Sequence, residues 1–232
     1  MSSAGASPVP VPVPVPVTIE ALAERAGELA AMGERRILGL VGAPGAGKSF
    51  LAERLAQVLG PDLAVVVPMD GFHLAQEVLV ALGREGRKGA ADTFDAEGYV
   101  ALLRRLRAPR ARGGQDVDPS LAGVVLAPLF RRDLEEPVGS AVPVRPDVPL
   151  VITEGNYLLR GDGAWRDVAG LLDEVWFVAP PEDLRRARLV ARHESFGRSP
   201  REARERSLGS DELNARQIAA TAGAADHVWR LV

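Results

Sequence analysis

Cysteine is absent from this chain of 232 residues, which excludes disulfides, zinc–thiolate sites, iron–sulfur clusters and cysteine nucleophiles. Lysine is almost as scarce, because Lys48 and Lys88 are the only two and arginine supplies the remaining basic residues. A lysine that persists where arginine is so strongly favoured indicates a position that needs a compact point charge. Both lysines are therefore candidate functional residues.

Long apolar runs are missing as well. None approaches the roughly 18 residues that a membrane-spanning helix needs, and Met1–Ser7 lacks the basic region and apolar core of a secretory signal. We therefore expect a cytoplasmic protein with no membrane partner. The formal net charge of −3, from 28 Lys and Arg against 31 Asp and Glu, argues against nucleic acid as a partner but leaves room for one basic pocket.

Residues Pro8 to Val17 form five Pro-Val pairs, a segment of low complexity. Proline fixes φ and lacks a backbone N–H, so a helix or a central strand is excluded here. We predict an extended, disordered tail over residues 1–17. Residues 18–232 have the length of one domain, with neither an internal repeat nor a second domain boundary.

Apolar runs and helical periodicities alternate along this domain. Strands are predicted at 35–41, 63–67, 124–126, 150–153, 174–178 and 227–232, and helices at 18–33, 50–59, 96–106, 182–193 and 211–221. Gly/Pro-rich connections are predicted at 113–120 and 136–149. Strands that alternate with helices favour an α/β fold of three layers, in which helices cover both faces of a parallel sheet.

A glycine-rich motif separates the first of these strands from the helix after it. The residues Gly42-Ala43-Pro44-Gly45-Ala46-Gly47-Lys48-Ser49 fit G-x-x-x-x-G-K-[ST], the P-loop motif. Glycines let successive backbone N–H groups point at phosphate oxygens, and the helix presents its positive end to the same anion. We predict that these eight residues and Phe50 bind ATP, that Lys48 reaches its β- and γ-phosphates and that the Ser49 hydroxyl coordinates Mg²⁺.

Two further predicted strands are followed by a carboxylate. Asp70 comes after the strand at 63–67, and Glu154 comes after the strand at 150–153. Since the carboxyl ends of parallel strands meet at the ligand crevice, both side chains should lie beside the P-loop. Asp70 is predicted to accept a proton from an attacking hydroxyl, and Glu154 to hold Mg²⁺. A simple turn at Asp70 and a strand-end glutamate without a metal are the alternatives.

Arginines crowd the predicted helix at 182–193 and the turn after it. They are Arg185, Arg186, Arg188, Arg192 and Arg198. A mobile lid that bears these charges would neutralise a transferring phosphoryl group and exclude water. The alternative is a solvated helix whose arginines pair with Glu182, Asp183 and Glu194.

In their order and spacing, these motifs resemble the phosphoribulokinase/uridine kinase/pantothenate kinase family of P-loop kinases. The similar segments are Gly42–Ser49, Asp70-Gly71-Phe72-His73 and Glu154-Gly155-Asn156-Tyr157, together with Arg87-Lys88-Gly89 and Thr93-Phe94-Asp95, which resemble a substrate-side segment of pantothenate kinases. The resemblance implies a P-loop NTPase fold with an arginine-bearing lid, and Mg·ATP as cofactor. It also implies that Lys48 and Asp70 are catalytic, that Arg192 and Arg198 supply the lid charges, and that Ser49 and Glu154 lie on the magnesium side.

Within this family, the chain is most similar to a bacterial nucleoside/nucleotide kinase-like subgroup, some members of which are linked to fructose uptake. The similar segments are Pro128-x-Phe130, Leu134-Glu135-x-Pro137-Val138, Arg192-His193-x-x-Phe196-Gly197 and Asp211-x-x-Asn214-Ala215. Arg131 departs from the aspartate that subgroup members often carry at this position, and the departure bears on the polarity of the acceptor pocket.

The substrate side is predicted from residues in and near these motifs. The predicted residues are His73, Lys88, Asp95, Arg132, Asn156 and Tyr157. His73 either bonds a substrate hydroxyl or is a structural residue, and Lys88 pairs either with an anion or hydroxyl of the substrate or with a neighbouring acid.

The sequence thus predicts an enzyme, an ATP-dependent kinase that phosphorylates a hydroxyl of a sugar, a nucleoside or a pantothenate-like metabolite. One alternative is a nucleotide-dependent switch or chaperone-type NTPase. The other is a nucleoside monophosphate kinase, for which Lys88, Arg131 and Arg132 would supply a basic acceptor pocket. An Asn-Lys-x-Asp guanine motif is excluded, because neither lysine follows an asparagine. A homodimer is compatible with the sequence.

Overall fold

The computed structural model describes residues 12–108 and 121–232, apart from the side chain of Ser210. The strands in this part of the chain are β1 (Val15–Val17), β2 (Arg36–Val41), β3 (Ala64–Pro68), β4 (Val125–Arg131), β5 (Glu136–Val144), β6 (Leu150–Gly155), β7 (Glu174–Val178) and β8 (His227–Leu231). The α-helices are α1 (Ile19–Ala30), α2 (Lys48–Leu59), α3 (Gln76–Ala81), α4 (Ala96–Arg107), α5 (Glu182–Ser195), α6 (Pro200–Leu208) and α7 (Ser210–Ala219).

Six of these strands form one parallel sheet in the order β1-β8-β7-β2-β6-β3. Strand β2, which leads into the P-loop, lies between β7 and β6, with Leu38 opposite Ile152 of β6. Helices α1 and α2 pack on one face of the sheet, and α4 packs on the other. The predicted α/β fold, with a parallel sheet between helical layers, is confirmed.

The side chains of β2 show why an apolar run marks a central strand. Leu38 and Leu40 belong to the core on the side of α1 and α2, whereas Ile37 and Val41 belong to the core on the side of α4. All four side chains are fully buried. Because neighbouring side chains of a strand point to opposite faces, a strand that is covered on both faces reads as a nearly continuous apolar run.

The start of the described chain corrects the prediction of a disordered tail over residues 1–17. Val15–Val17 forms strand β1 at the edge of the sheet, parallel to β8, with Val15 opposite Trp229. The carbonyl oxygen of Val17 accepts a hydrogen bond of 3.1 Å from the backbone N–H of Val232. Proline is tolerated here because only one side of an edge strand needs backbone donors. Residues 1–11 of the predicted tail lie outside the described residues.

The antiparallel hairpin of β4 and β5 corrects the predicted connection at 136–149. Strand β5 occupies Glu136–Val144, and Ala127 lies opposite Val142. The pairing register shifts between Ala127 and Leu129, and Ser140 has a positive φ of 57°. These irregularities and the prolines break the alternation that reveals a strand. The predicted connection at 113–120 lies outside the described residues.

Helices α3 and α6 are not among the helices predicted from the sequence. Helix α6 begins with a capping box, in which Ser199 and Glu202 bond each other's backbone N–H and Pro200 occupies the first turn. The sequence Ser199-Pro200-x-Glu202 is enough to recognise this helix start. Across the described ranges, every helix is too short or too polar to traverse a lipid bilayer.

Candidate active site

The loop between β2 and α2 folds tightly enough to present backbone N–H groups to an anion. Gly45 and Gly47 have positive φ values of 84° and 97°, which only glycine adopts readily. A Cβ on Gly45 would lie 2.6 Å from the carbonyl oxygen of Arg185, so the loop also packs closely against α5. Ala43 and Ala46 of the loop are themselves buried. The unpaired N–H groups at the start of α2 complete an environment suited to phosphate.

Lys48 is held at the start of α2 by neutral oxygen atoms. Its Nζ donates to the carbonyl oxygens of Gly42 and Ala43, at 2.8 and 3.3 Å. It also donates to Oδ1 of Asn156 at 2.8 Å. Burial lowers the pKa of Lys48, and the negative charge of Glu154 works in the opposite direction. Because its hydrogen-bond partners are neutral, the ammonium group would gain from a nucleotide phosphate.

Ser49 and Glu154 join the P-loop to the end of β6. The hydroxyl of Ser49 donates to Oε1 of Glu154 at 2.9 Å. Burial raises the pKa of Glu154, and the neighbouring charge of Asp70 raises it further. Among the described residues, no group of three or more His, Cys, Asp and Glu is placed to hold a metal by itself. A hydroxyl and one carboxylate fit Mg²⁺ that takes its other ligands from phosphates and water.

Asp70 lies in a single turn of 3-10 helix, Met69–Phe72, directly after β3. Its Oδ2 accepts a hydrogen bond of 2.8 Å from Nη2 of Arg132, which comes directly after strand β4. A Cβ on Gly71 would lie only 2.4 Å from the carbonyl oxygen of Pro128, so the hairpin backbone packs directly against this turn. Asp70 is therefore positioned by the hairpin as well as by the sheet.

His73 is packed as the structural alternative expects, and it also reaches the site. Its Nδ1 lies 2.8 Å from the carbonyl oxygen of Asp70, and its ring packs against Phe94 and Phe130, with centroids 4.0 and 4.7 Å away. Burial lowers the pKa of His73 and favours the neutral ring. His73 also lines the cavity between the P-loop and the hairpin. It is thus a packed residue with one edge toward the site.

Lys88 and Arg132 flank the ring of Phe130 on the hairpin. Lys88 Nζ lies 5.4 Å from the ring centroid, and Cζ of Arg132 lies 4.9 Å from it. Lys88 donates to the carbonyl oxygen of Glu135 at 2.6 Å and to Oε1 of Gln76 at 3.4 Å. It therefore pairs with backbone and amide oxygens, not with the neighbouring acid that was one alternative.

Three of the residues predicted for the site or its acceptor pocket do not line the cavity between the P-loop and the hairpin. Oδ1 of Asp95 accepts from the backbone N–H of Gly98 at 2.8 Å, which makes Asp95 the N-cap of α4. Tyr157 is buried, and its hydroxyl donates to the carbonyl oxygen of Gly89 at 2.6 Å. Neither lines the cavity between the P-loop and the hairpin, and Asp95 instead lines a second cavity beside the start of α4. Arg131 is also turned away, because it pairs with Asp133 at 2.7 Å on the exposed side of the hairpin.

Four of the five arginines of the predicted lid divide into two groups. Arg192 and Arg198 line the cavity. Desolvation lowers the pKa of Arg192, and the charge of Arg132 adds to this effect. Arg185 is buried instead, and donates to the carbonyl oxygen of Pro44 at 3.1 Å. Arg186 pairs with Glu212 of α7 at 2.8 Å.

One cavity of about 320 Å³ brings these groups together. Its lining includes Lys48, Ser49, Glu154, Asp70, Arg132 and Arg192. Arg206 and Phe196 also line it, although sequence reasoning places neither among the predicted site residues, and Asn214, at the start of the last predicted helix, lines it as well. Helix α6, which carries Arg206, escapes the prediction, and this explains why that arginine was missed. Phe50, by contrast, is 56% exposed and does not line the cavity.

Comparisons with known proteins agree with this geometry. A model of the family described as magnesium chelatase, subunit ChlI, matches residues 16–66, which hold the P-loop but cover less than half of the chain. The chain is 32% identical over 203 residues to a Schizosaccharomyces pombe protein provisionally named uridine kinase C227.14, across 83% of this chain and 82% of that relative. The chain belongs to the uridine/pantothenate kinase-like group of P-loop kinases.

Two further relatives agree with this assignment. An Aspergillus versicolor protein named ATP-dependent kinase-like protein notR' is 36% identical over 156 residues, which cover 65% of this P-loop kinase and 86% of the relative. A crystal structure from Silicibacter sp. TM1040, of a protein provisionally named fructose transport system kinase, is 36% identical with a TM-score of 0.78, across 92% and 99% of the two chains. The prediction of an ATP-dependent kinase is confirmed at this general level.

Proposed function

We propose that this kinase transfers the γ-phosphoryl group of Mg·ATP to a hydroxyl group of a small metabolite, with Asp70 as the general base. The observation that carries the proposal is the cavity in which Asp70 faces Lys48, Ser49 and Glu154. A P-loop alone serves many reactions, whereas a carboxylate opposite it supplies what an attacking hydroxyl requires.

The proposed reaction uses this chain's own groups in a definite order. The acceptor oxygen forms a bond to the γ-phosphorus while the bond to the β–γ bridging oxygen breaks, and ADP leaves. The hydroxyl proton passes to the carboxylate of Asp70. Lys48, Arg192 and Arg198 stabilise the negative charge on the phosphoryl oxygens. Mg²⁺, held by Ser49 and Glu154 when bound, would neutralise the β- and γ-phosphates.

The acceptor class is inferred from the polarity of the cavity and from the relatives. Charged and polar groups dominate the lining, which suits a polyhydroxylated compound. Two relatives carry the names of kinases for uridine and for a fructose transport system, so nucleosides and sugars are the first acceptors to test. A pantothenate-like alcohol is the third. The cytoplasmic location and the homodimer stay predictions.

An acceptor screen tests this proposal. ADP release is measured with Mg·ATP and each member of a panel of sugars, nucleosides and vitamin alcohols, and products are confirmed by mass spectrometry. We expect fast ATP consumption only with one acceptor class, together with a phosphorylated product. ATP hydrolysis at the same rate without any acceptor would instead indicate the switch or chaperone-type NTPase. Lys48→Met serves as the inactive control.

A nucleoside monophosphate kinase is the second candidate, because Lys88 and Arg132 place two cations at the cavity. Its acceptor is a phosphate oxygen, which has no hydroxyl proton to lose at neutral pH. The two reactions are therefore separated by Asp70→Asn, which would spare phosphoryl transfer to a nucleoside monophosphate and abolish transfer to an alcohol.

A further inference from the structure

Lys88 lines the cavity from the loop after α3, and its partners come from α3 and the β4–β5 hairpin rather than from the P-loop. An ammonium group has three N–H donors. Two of them reach neutral oxygens, the Glu135 carbonyl and the Gln76 amide. Within the described ranges no carboxylate forms an ion pair with Lys88, so its charge is open to the cavity.

Arg132 provides a second cation at the same end of the cavity. Of its five N–H donors, one reaches a protein acceptor among the described residues, the carboxylate of Asp70. The remaining donors leave the guanidinium able to bind a further anion side-on. Lys88 and Arg132 both lie against the ring of Phe130, at 5.4 and 4.9 Å from its centroid. The ring thus holds two cations next to the proposed base.

The nucleotide already has other cations. Lys48 lies in the P-loop, and Arg192 and Arg198 come from the lid. The N-terminus of α2 adds its own positive potential. Lys88 and Arg132, by contrast, are anchored on the hairpin side, where Asp70 would receive the acceptor. Their positive charge is therefore placed to attract the acceptor, not the triphosphate.

We propose that the acceptor carries an anionic group, a phosphate or a carboxylate, besides the hydroxyl that is phosphorylated, and that Lys88 and Arg132 bind this group. The inference rests on the proposed function. It excludes uncharged sugars and nucleosides as acceptors and keeps hydroxylated anions, to which a pantothenate-like alcohol with its carboxylate belongs. Binding of the anion also draws the guanidinium of Arg132 away from Asp70, which leaves that carboxylate to the attacking hydroxyl.

The scarcity of lysine provides a direct binding assay. Protein labelled with ¹³C at lysine Cε contains two labelled side chains, Lys48 and Lys88, and Lys88→Arg assigns their NMR signals. With the site saturated by Mg²⁺ and a non-hydrolysable ATP analogue, inorganic phosphate and acetate are titrated separately, with glycerol as the uncharged probe. We expect a saturable shift of the Lys88 signal with at least one anion and none with glycerol.

Matched variants locate the bound anion. Arg132→Met should weaken the anion's apparent affinity by about 10-fold or more, as expected for loss of a charge-assisted contact. Arg131→Met removes a neighbouring arginine that pairs with Asp133 outside the cavity, and should leave the affinity unchanged. A shift of Lys88 caused by the nucleotide analogue alone, or equal shifts with glycerol, would overturn the inference.

Kinetics then distinguish the two anion classes. Sugar phosphates, hydroxycarboxylates and uncharged polyols are compared as acceptors for the wild type, Lys88→Met and Lys88→Arg. For the anionic class that is used, we expect kcat/KM to fall about 10-fold or more in Lys88→Met, mainly through KM, and to recover partly in Lys88→Arg.

Failure of this inference differs from failure of the proposed function. An uncharged acceptor that is preferred, with a kcat/KM that Lys88→Met leaves unchanged, would overturn the inference and leave the kinase proposal intact. Saturable anion binding at Lys88 without phosphorylation of any alcohol would support the anion site and count against an alcohol acceptor.

Discussion

Arg185 donates a hydrogen bond of 3.1 Å from Nη1 to the carbonyl oxygen of Pro44, and thereby fastens helix α5 to the P-loop. The same guanidinium donates to Glu212 of α7 at 2.8 Å. One buried arginine of α5 thus links the P-loop to α7, so that the loop and these two helices share part of their stability.

Arg185→Met should lower the free energy of unfolding by about 1–3 kcal/mol, because it leaves a buried carbonyl and part of a carboxylate without a partner. Urea unfolding measures the change. Arg186→Met is the matched control, since Arg186 pairs with the same Glu212 but is largely exposed, and should cost less than about 1 kcal/mol. Equal losses in the two variants would contradict the link.

Asp70→Asn should reduce kcat by about 10²–10⁴-fold with an alcohol acceptor, because an amide cannot accept the hydroxyl proton. ATP binding should persist, since Lys48 and the P-loop are untouched. Steady-state kinetics and nucleotide titration measure both. Asp133→Asn, which removes an exposed carboxylate of the same hairpin region, should leave kcat unchanged. Near-wild-type turnover in Asp70→Asn would show that Asp70 is not the base.

Glu154→Gln should raise the Mg²⁺ concentration needed for half-maximal activity by about 10-fold or more, because a carboxylate is replaced by a neutral oxygen. The Ser49 hydroxyl keeps a hydrogen-bond acceptor in this variant, so the fold should persist. A Mg²⁺ titration of ADP release measures the effect. Glu53→Gln, on the exposed side of α2, is the control. An unchanged titration argues against a magnesium ligand.

Gly71→Ala should destabilise the protein by about 1–3 kcal/mol, because the added methyl group would meet the carbonyl oxygen of Pro128, 2.4 Å away. It should also lower kcat, since the turn that carries Asp70 must move. Gly86→Ala is the matched control, because a Cβ there meets nothing within 4 Å. A variant as stable and active as Gly86→Ala would refute the close packing.

Glu174 is buried at the start of β7, and we expect its contribution to the free energy of unfolding to be lost in acid. Burial alone would raise its pKa, but hydrogen bonds from Arg25 and Trp176 together bring the pKa below the ordinary value of 4.5. A carboxylate with a lowered folded-state pKa stabilises the protein above its unfolded pKa, and this contribution is lost as pH falls through the folded value.

Glu174→Gln should therefore lower the urea midpoint at pH 7, and its difference from the wild type should narrow below about pH 4.5. Glu28→Gln is the control, because Glu28 pairs with the same Arg25 at the surface and should change little at either pH. A difference that does not vary with pH would contradict the ion-pair explanation.

Features that local chemistry dictates are the ones that the sequence predicts best. Strand β2 is predictable because burial on both faces leaves a continuous apolar run in the sequence. The P-loop is predictable because phosphate binding needs glycines at fixed spacing. The pair of Arg132 and Asp70 is not, because these residues are 62 positions apart and meet only through the hairpin. The burial of Arg185 cannot be predicted either. A charged residue in a helix is expected to be exposed, and Arg185 is buried only because the chain folds α7 against it.

Strand β1 affects whether a strand of another chain can pair with this edge of the sheet. Val15 and Val17 turn their backbone toward β8, so by strand alternation Pro16 turns toward solvent, where a proline has no N–H to offer. The period of two in the Pro-Val repeat matches the period of the strand. At Pro16 this edge of the sheet therefore lacks the donor that an incoming chain would need, which disfavours cross-β growth along β1.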